Sequence, residues 1–296
     1  YLLGLEVVLP SGDVIRTGGK TLKNVSGYDL TRLMCGSEGT LGIITEITVR
    51  LIPLPPAKAT LQAVFSNLDD AATTVSAIIG SGIVPTTLEL IDRVVLDIIK
   101  NYSGADFPED TEALLLIEVD GEASSTEVQG ERIEKFCKER GAIEVQRAKS
   151  PEDAESLWQA RRSAFGAVAS VRPNCIVEDA TVPVKRLPEM IRKTVELADK
   201  YQLKIGVLAH AGDGNLHPLI MTDLRDKEEM ARIDKALDEL YEAAIAMGGT
   251  LSGEHGIGIA KDRFMPMEFS RSAIEIMRGI KRVFDPNNIL NPGSFL

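Results

Sequence analysis

The chain has 296 residues, 44% hydrophobic and 26% charged, the balance of a globular protein with room for about two domains. Its net charge is −11, from 33 basic and 44 acidic side chains, which on average repels a phosphate backbone and excludes nucleic acid as an expected partner. No apolar run approaches the roughly 20 residues of a membrane span, so the chain is read as not membrane-spanning.

The chain opens Tyr1-Leu2-Leu3-Gly4, without a methionine or a basic-then-apolar leader, which reads as the inside of a strand and gives the expectation of a portion of a longer protein. Leu5–Leu9 is a strand, Pro10–Asp13 a turn, and Val14–Thr17 pairs back as a hairpin. Gly36-Ser37-Glu38-Gly39-Thr40-Leu41-Gly42 is a glycine-punctuated loop. The alternation in Ile43–Ile52 then predicts a strand, ended by Pro53, Pro55 and Pro56 at a domain boundary. From Ala57 the pattern changes to alternating elements. Strands are expected at 60–65, 87–90, 113–119, 143–147, 175–182 and 204–210. Helices are expected at 67–80, 94–102, up to about 140, and at 154–171 (carrying Trp158, Arg161 and Arg162) and 188–201. The segment 226–247 is the strongest helix, with Asp226 and Glu229 as a variant capping box and Gly248-Gly249 closing its end. A last helix runs from about Ser270 to Phe284. This run indicates an α+β fold. Cys35, Cys137 and Cys175 are odd in number and share no metal-type spacing. Three buried, inert thiols in a reducing cytosol are therefore expected, and the location is read as cytoplasmic.

The chain has three histidines. His210 and His217 lie in His210-Ala211-Gly212-Asp213-Gly214-Asn215-Leu216-His217, and His255 lies in Gly253-Glu254-His255-Gly256. Two imidazoles and a carboxylate are a common ligand set for a catalytic divalent metal, leaving positions open for substrate. A histidine at a strand end, followed by a glycine turn, lets the chain double back so that His217 points where His210 points. Glu254 arrives from the loop after the long helix. In an extended loop His255 faces away from Glu254, because side chains alternate, and this frees it for proton transfer. The bland alternative is three solvent-exposed loop histidines. The pattern alone does not choose between a zinc hydrolase and an oxidoreductase.

Several stretches together resemble one family: Lys23–Leu30, Gly36–Glu46, Leu157–Arg161, the two histidine motifs, and Asp285-Pro286 with Leu290–Gly293. Over the whole chain they are similar to FAD-linked 2-hydroxyacid dehydrogenases of the glycolate oxidase flavin-subunit and D-lactate dehydrogenase type. These are vanillyl-alcohol-oxidase-like flavoproteins. The resemblance implies the second lobe of an FAD-binding domain at 1–56 and a cap or substrate domain at 57–269, with an antiparallel sheet covered by helices. It also implies a C-terminal helix and tail at 270–296 that return to the FAD domain. Gly36, Ser37, Glu38, Gly39, Thr40, Gly42 and Ile44 would line FAD, mostly by backbone groups that glycine lets approach a phosphate closely. Asn291 would lie near the flavin. His210, His217 and Glu254 match the family's ligands for a divalent metal (zinc, manganese or iron), and His255 matches its base. Arg161 matches the arginine that pairs with the substrate carboxylate, with the register against Arg162 open by one.

The implied reaction takes a small D-2-hydroxy acid to the 2-oxo acid, with the substrate chelated by the metal and a hydride passing to FAD. Electrons would leave through an acceptor protein (an iron–sulfur subunit or an electron-transfer flavoprotein) or a quinone. A homodimer is kept open. Phe165, Val177 and Leu219 are apolar where relatives acting on 2-hydroxyglutarate carry polar groups, which favours glycolate or D-lactate. The family's N-terminal diphosphate loop is absent from these residues. The competing expectations are therefore a non-catalytic or flavin-free portion of such an enzyme, and a metal-dependent hydrolase.

Overall fold

The computed structural model describes residues 1–294; the last two residues of the expected 270–296 tail lie outside the described residues. The chain forms two units, one of residues 1–54 and 254–296, the other of residues 55–253.

The first unit is built on a three-stranded antiparallel sheet with β1 (Leu2–Val8) between β2 (Val14–Gly18) and β3 (Ile43–Val49). The β1–β2 hairpin turns where expected, with Leu9 N–H donating to Asp13 O at 2.9 Å. A short helix, α1 (Leu30–Met34), lies between β2 and β3 and was not expected from the sequence; the Asp29 carboxylate caps it at Arg32 N, 3.0 Å away. Leu5, Val7, Met34 and Leu41 form the core, and Ile280 and Phe284 of the terminal helix pack against it. Ile43, Ile47 and Val49 of β3 are exposed.

The second unit contains an antiparallel sheet in the order β7-β4-β6-β5-β10-β11-β8, with β9 paired to β11. These strands are β4 (Ala57–Phe65), β5 (Thr87–Asp92), β6 (Ala113–Gly121), β7 (Ala142–Arg147), β8 (Asn174–Val177), β9 (Ala180–Thr181), β10 (Ile205–His210) and β11 (Asn215–Thr222). The helices are α2 (Leu68–Gly80), α3 (Arg93–Ser103), α4 (Ala123–Glu139), α5 (Pro151–Ala169), α6 (Leu187–Tyr201) and α7 (Lys227–Ala246). Ile91, Leu114, Leu116, Leu208 and Leu219 share one sheet face and bury against α3 and α5. The opposite face, with Leu61, Ala63, Leu115 and Ile117, is buried as well, which is why β4 and β6 read as near-continuous apolar runs.

Several expectations change. The segment 175–182 is two strands, β8 and β9, interrupted at Glu178-Asp179. His217 lies inside β11, a strand not among those expected. Residues 254–269, expected in the cap, group with the first unit; they include α8 (Met265–Glu268) with Phe264 and Met265 buried, and precede α9 (Arg271–Phe284). The Glu229 carboxylate does not close a capping box but accepts from Thr222 Oγ1 at 2.7 Å and Arg172 Nη2 at 2.9 Å, while Asp226 caps α7 alone. Cys35 is exposed, whereas Cys137 is buried and its thiol is pushed up to about 12 by that burial. No helix among the described residues is long and apolar enough to cross a membrane.

Candidate active site

The histidine pair is built by strand register. His210 ends β10 and stands opposite Asn215 of β11 and opposite Glu89 of β5. His217 stands opposite Leu208, so the two histidines are diagonal neighbours on one sheet face. The turn between them is tight. Gly214 has φ +74°, and a Cβ there would meet Val182 O at 2.0 Å, so only glycine fits. The rings meet edge to face with centroids 5.1 Å apart, and one nitrogen of each lies within 4.8 Å of one of the other.

Each ring is held through Nδ1. His210 Nδ1 lies 2.5 Å from Glu89 Oε1, and buried His217 has Nδ1 3.2 Å from the Glu178 carbonyl. A proton on Nδ1 satisfies both acceptors and leaves the lone pair on Nε2, the arrangement common to metal-binding histidines. Glu89 is 5% exposed. Burial raises its pKa, but the hydrogen bonds and charges of His210 and Arg161 outweigh that and hold it below its ordinary value. A cavity of about 340 Å3 opens beside this corner, lined by Thr86, Thr87, Glu89, His210, Gly212 and Asp213 among others.

The two neighbouring arginines of α5 turn different ways. Arg161 Nε donates to Glu89 Oε2 at 2.8 Å with its side chain only 15% exposed, whereas Arg162 points outward to Glu155. The terminal nitrogens of Arg161 have no hydrogen-bond partner among the described residues, and its guanidinium lies 5.7 Å from the Phe165 ring centre. One turn earlier on α5, Trp158 Nε1 approaches Glu118 Oε2 at 3.5 Å, and Glu118 also takes Lys58 and Thr60 at 2.9 Å. Two buried carboxylates on the same sheet face thus meet α5. Val177 and Leu219 are register partners on β8 and β11.

Gly253, the last residue of this unit, is pressed against the same corner. A Cβ there would lie 2.3 Å from Thr181 Oγ1 and 2.7 Å from Asn215 Nδ2. Glu254 follows by one peptide bond and belongs to the other unit. The segment bends instead of extending, so Glu254 and His255 do not point apart: Glu254 Oε1 and His255 Nε2 are 4.0 Å from each other.

In the first unit the glycine loop turns through positive φ at Gly36, Glu38 and Gly39 (83°, 52° and 68°). Thr40 is buried, its hydroxyl on Ser37 O at 2.6 Å and its carbonyl on Lys281 Nζ at 2.9 Å. The side chains of Glu38 and Asn291, expected at the flavin, are engaged with protein: Glu38 accepts from Ile257 N and Gly258 N, and Asn291 Nδ2 donates to Glu38 O. Gly36 faces open space, Gly42 packs against Val7, and Ile44 is part of exposed β3.

Sequence reasoning missed Glu89 and Glu178. The signal for Glu89 was a lone carboxylate within the apolar run Leu88–Ile91, which burial makes costly without cationic partners.

The model of the family described as FAD linked oxidases, C-terminal domain, matches residues 54–295. Glycolate oxidase subunit GlcD of Bacillus subtilis (strain 168) is 49% identical over 293 residues, covering 99% of this chain and 62% of that protein. The same subunit of Escherichia coli (strain K12) is 36% identical, covering 99% and 58%. The mitochondrial D-lactate dehydrogenase (cytochrome) of Arabidopsis thaliana is 36% identical, covering 100% and 52%. The chain thus spans 62% and 58% of the length of the two glycolate oxidase subunits. Among solved structures, p-cresol methylhydroxylase with substrate bound matches with a TM-score of 0.74 at 19% identity over 99% of this chain and 64% of that one. A 4-ethylphenol oxidase from Gulosibacter chungangensis matches with 0.74 at 17% over 100% and 65%. At such identities these two show the fold alone.

Proposed function

The chain belongs to the family of FAD linked oxidases, C-terminal domain, and from that premise we propose that it serves flavin-dependent oxidation of a small D-2-hydroxy acid, glycolate- or D-lactate-like, to the 2-oxo acid. The observation that carries this reading is the double engagement of Glu89, 2.5 Å from His210 Nδ1 and 2.8 Å from Arg161 Nε. It gathers a carboxylate-binding fork and a ligand-type histidine at one corner of one sheet.

The donor chemistry fits a divalent cation. His210 and His217 would hold it through Nε2, joined by Glu254, and zinc, manganese or iron suit that set. The flavin would be held by the Gly36–Ile44 backbone, whose positive-φ residues suit close approach to a phosphate. Bound there, the metal would supply Lewis acidity and the flavin would supply the hydride acceptor.

The chain's own residues do the rest. Arg161, anchored through Nε, offers its two terminal nitrogens to the substrate carboxylate, a bidentate match that fixes the C2–H bond. His255 takes the proton of the C2 hydroxyl. Val177 and Leu219 give a second carboxylate no partner, which supports a monocarboxylate. The name of the glycolate oxidase relatives as a subunit supports a partner protein that receives the electrons, an iron–sulfur subunit or an electron-transfer flavoprotein, with a quinone as the other acceptor.

The test is anaerobic mixing of flavin-loaded protein with glycolate, D-lactate or L-lactate while the visible absorption of the flavin is followed. Bleaching by glycolate or D-lactate, and weaker bleaching by L-lactate, is expected. No bleaching by any of the three would refute the reading.

A further inference from the structure

We propose that Glu89 is a positioning residue that holds the substrate-binding arginine and a metal-binding histidine in one fixed register. The inference rests on the function proposed above and deepens it. Glu89 sits on β5 directly across from His210, so the strand pairing itself sets the reach between them. Both of its oxygens are used, Oε1 at 2.5 Å from His210 Nδ1 and Oε2 at 2.8 Å from Arg161 Nε. The carboxylate therefore defines which imidazole nitrogen carries the proton and which end of the guanidinium faces outward. Neither can rotate without losing a charge-assisted bond in a buried setting.

A purely structural role accounts for this poorly. The position is 5% exposed, between Leu88 and Leu90 and on the face of Ile91, where a leucine would pack without burying charge. A buried ion pair is weak support for stability compared with an apolar replacement of similar volume. A second contact of α5 with the sheet, moreover, lies one turn away, where Trp158 Nε1 approaches Glu118 Oε2 at 3.5 Å. Glu118 is thus a built-in control, a buried carboxylate on the same face that touches the same helix but neither histidine.

The experiment compares Glu89→Gln, Glu89→Asp and Glu118→Gln in the full chain. Affinity for Zn2+ is measured by titration calorimetry, thermal unfolding is recorded, and KM and kcat for D-lactate or glycolate are measured in the flavin-loaded protein. Second partners of metal-binding histidines typically alter metal affinity or activity by about 10–100-fold. Glu89→Gln should weaken Zn2+ binding and raise KM, each by about that factor. Glu89→Asp, one methylene short of reaching both partners, should do the same. Glu118→Gln should leave both constants near wild type. Unchanged Zn2+ affinity and KM in Glu89→Gln, or a loss of thermal stability alone, would overturn the proposal. His210→Ala and Arg161→Ala run alongside separate the two failures. If they lose Zn2+ binding and substrate affinity while the Glu89 variants do not, only the positioning role is wrong. If they too are unaffected, the site reading is wrong and the positioning role with it.

Discussion

The carboxylate of Glu38 accepts the backbone N–H groups of Ile257 and Gly258 at 2.7 and 2.8 Å. Its own carbonyl receives the Asn291 side chain. One residue of the glycine loop thereby ties down both the segment that carries His255 and the C-terminal turn. Hydrogen bonds to a charged group contribute about 1.5–3 kcal/mol each. Glu38→Ala should therefore destabilise the protein by about 2 kcal/mol or more in urea unfolding and lower turnover by freeing the His255 segment. Wild-type values in both assays would show that the tie is idle.

His255 carries the proposed proton transfer. General base catalysis is typically worth about 10²–10⁴-fold. His255→Ala should cut kcat by about that factor while bound metal, measured by atomic emission, stays at the wild-type level. Unchanged turnover removes His255 from the mechanism, and lost metal makes it a ligand instead.

The choice of substrate can be shifted at β8. Val177 is half-buried and stands in register with Leu219. Val177→Lys adds a cation with a flexible stem that can reach a distal carboxylate. The ratio of kcat/KM for 2-hydroxyglutarate over D-lactate should rise about tenfold or more; no change would mean that this edge does not meet the substrate.

Away from the site, Asp92 caps α3 by accepting from Val95 N at 3.0 Å. Burial pushes its pKa from 3.8 up to about 7, with Asp97 and Glu112 adding to the rise and the backbone donors of Val95 and Val207 opposing it. An acid with a raised pKa binds more protons folded than unfolded between those two values, so its contribution to stability falls as pH rises through that window. Asp92→Asn keeps a capping oxygen and abolishes the titration. Relative to wild type, the variant should gain stability between about pH 4 and pH 7, read from urea midpoints, and parallel profiles would contradict the shift.

Much of this molecule was legible from periodicity. Nearly every expected helix and strand of the second unit is present, because apolar stripes at helical and alternating spacing mark faces that must be buried. Strand β11 was hidden by its composition. His217, Asn215 and Pro218 read as a loop, although tertiary pairing with β10 makes it a buried strand. The ligand-type histidines were visible through their spacing. Glu89 was not, because it is distant from both partners in sequence, and only the β5–β10 register and the placement of α5 bring the three together. The opposite orientation expected for Glu254 and His255 failed because it assumed an extended backbone where the chain bends.

If the His210–His217 corner with Arg161 forms a metal-dependent 2-hydroxyacid site, removing and restoring metal must switch the reaction off and on. Flavin-loaded protein is stripped with a chelator, mixed anaerobically with D-lactate or glycolate, and then reloaded with Zn2+ or Mn2+. Bleaching of the flavin should disappear on stripping, return on reloading, and not return in His210→Ala or His217→Ala. Full bleaching by stripped protein, matched by both histidine variants, would contradict a metal-dependent site.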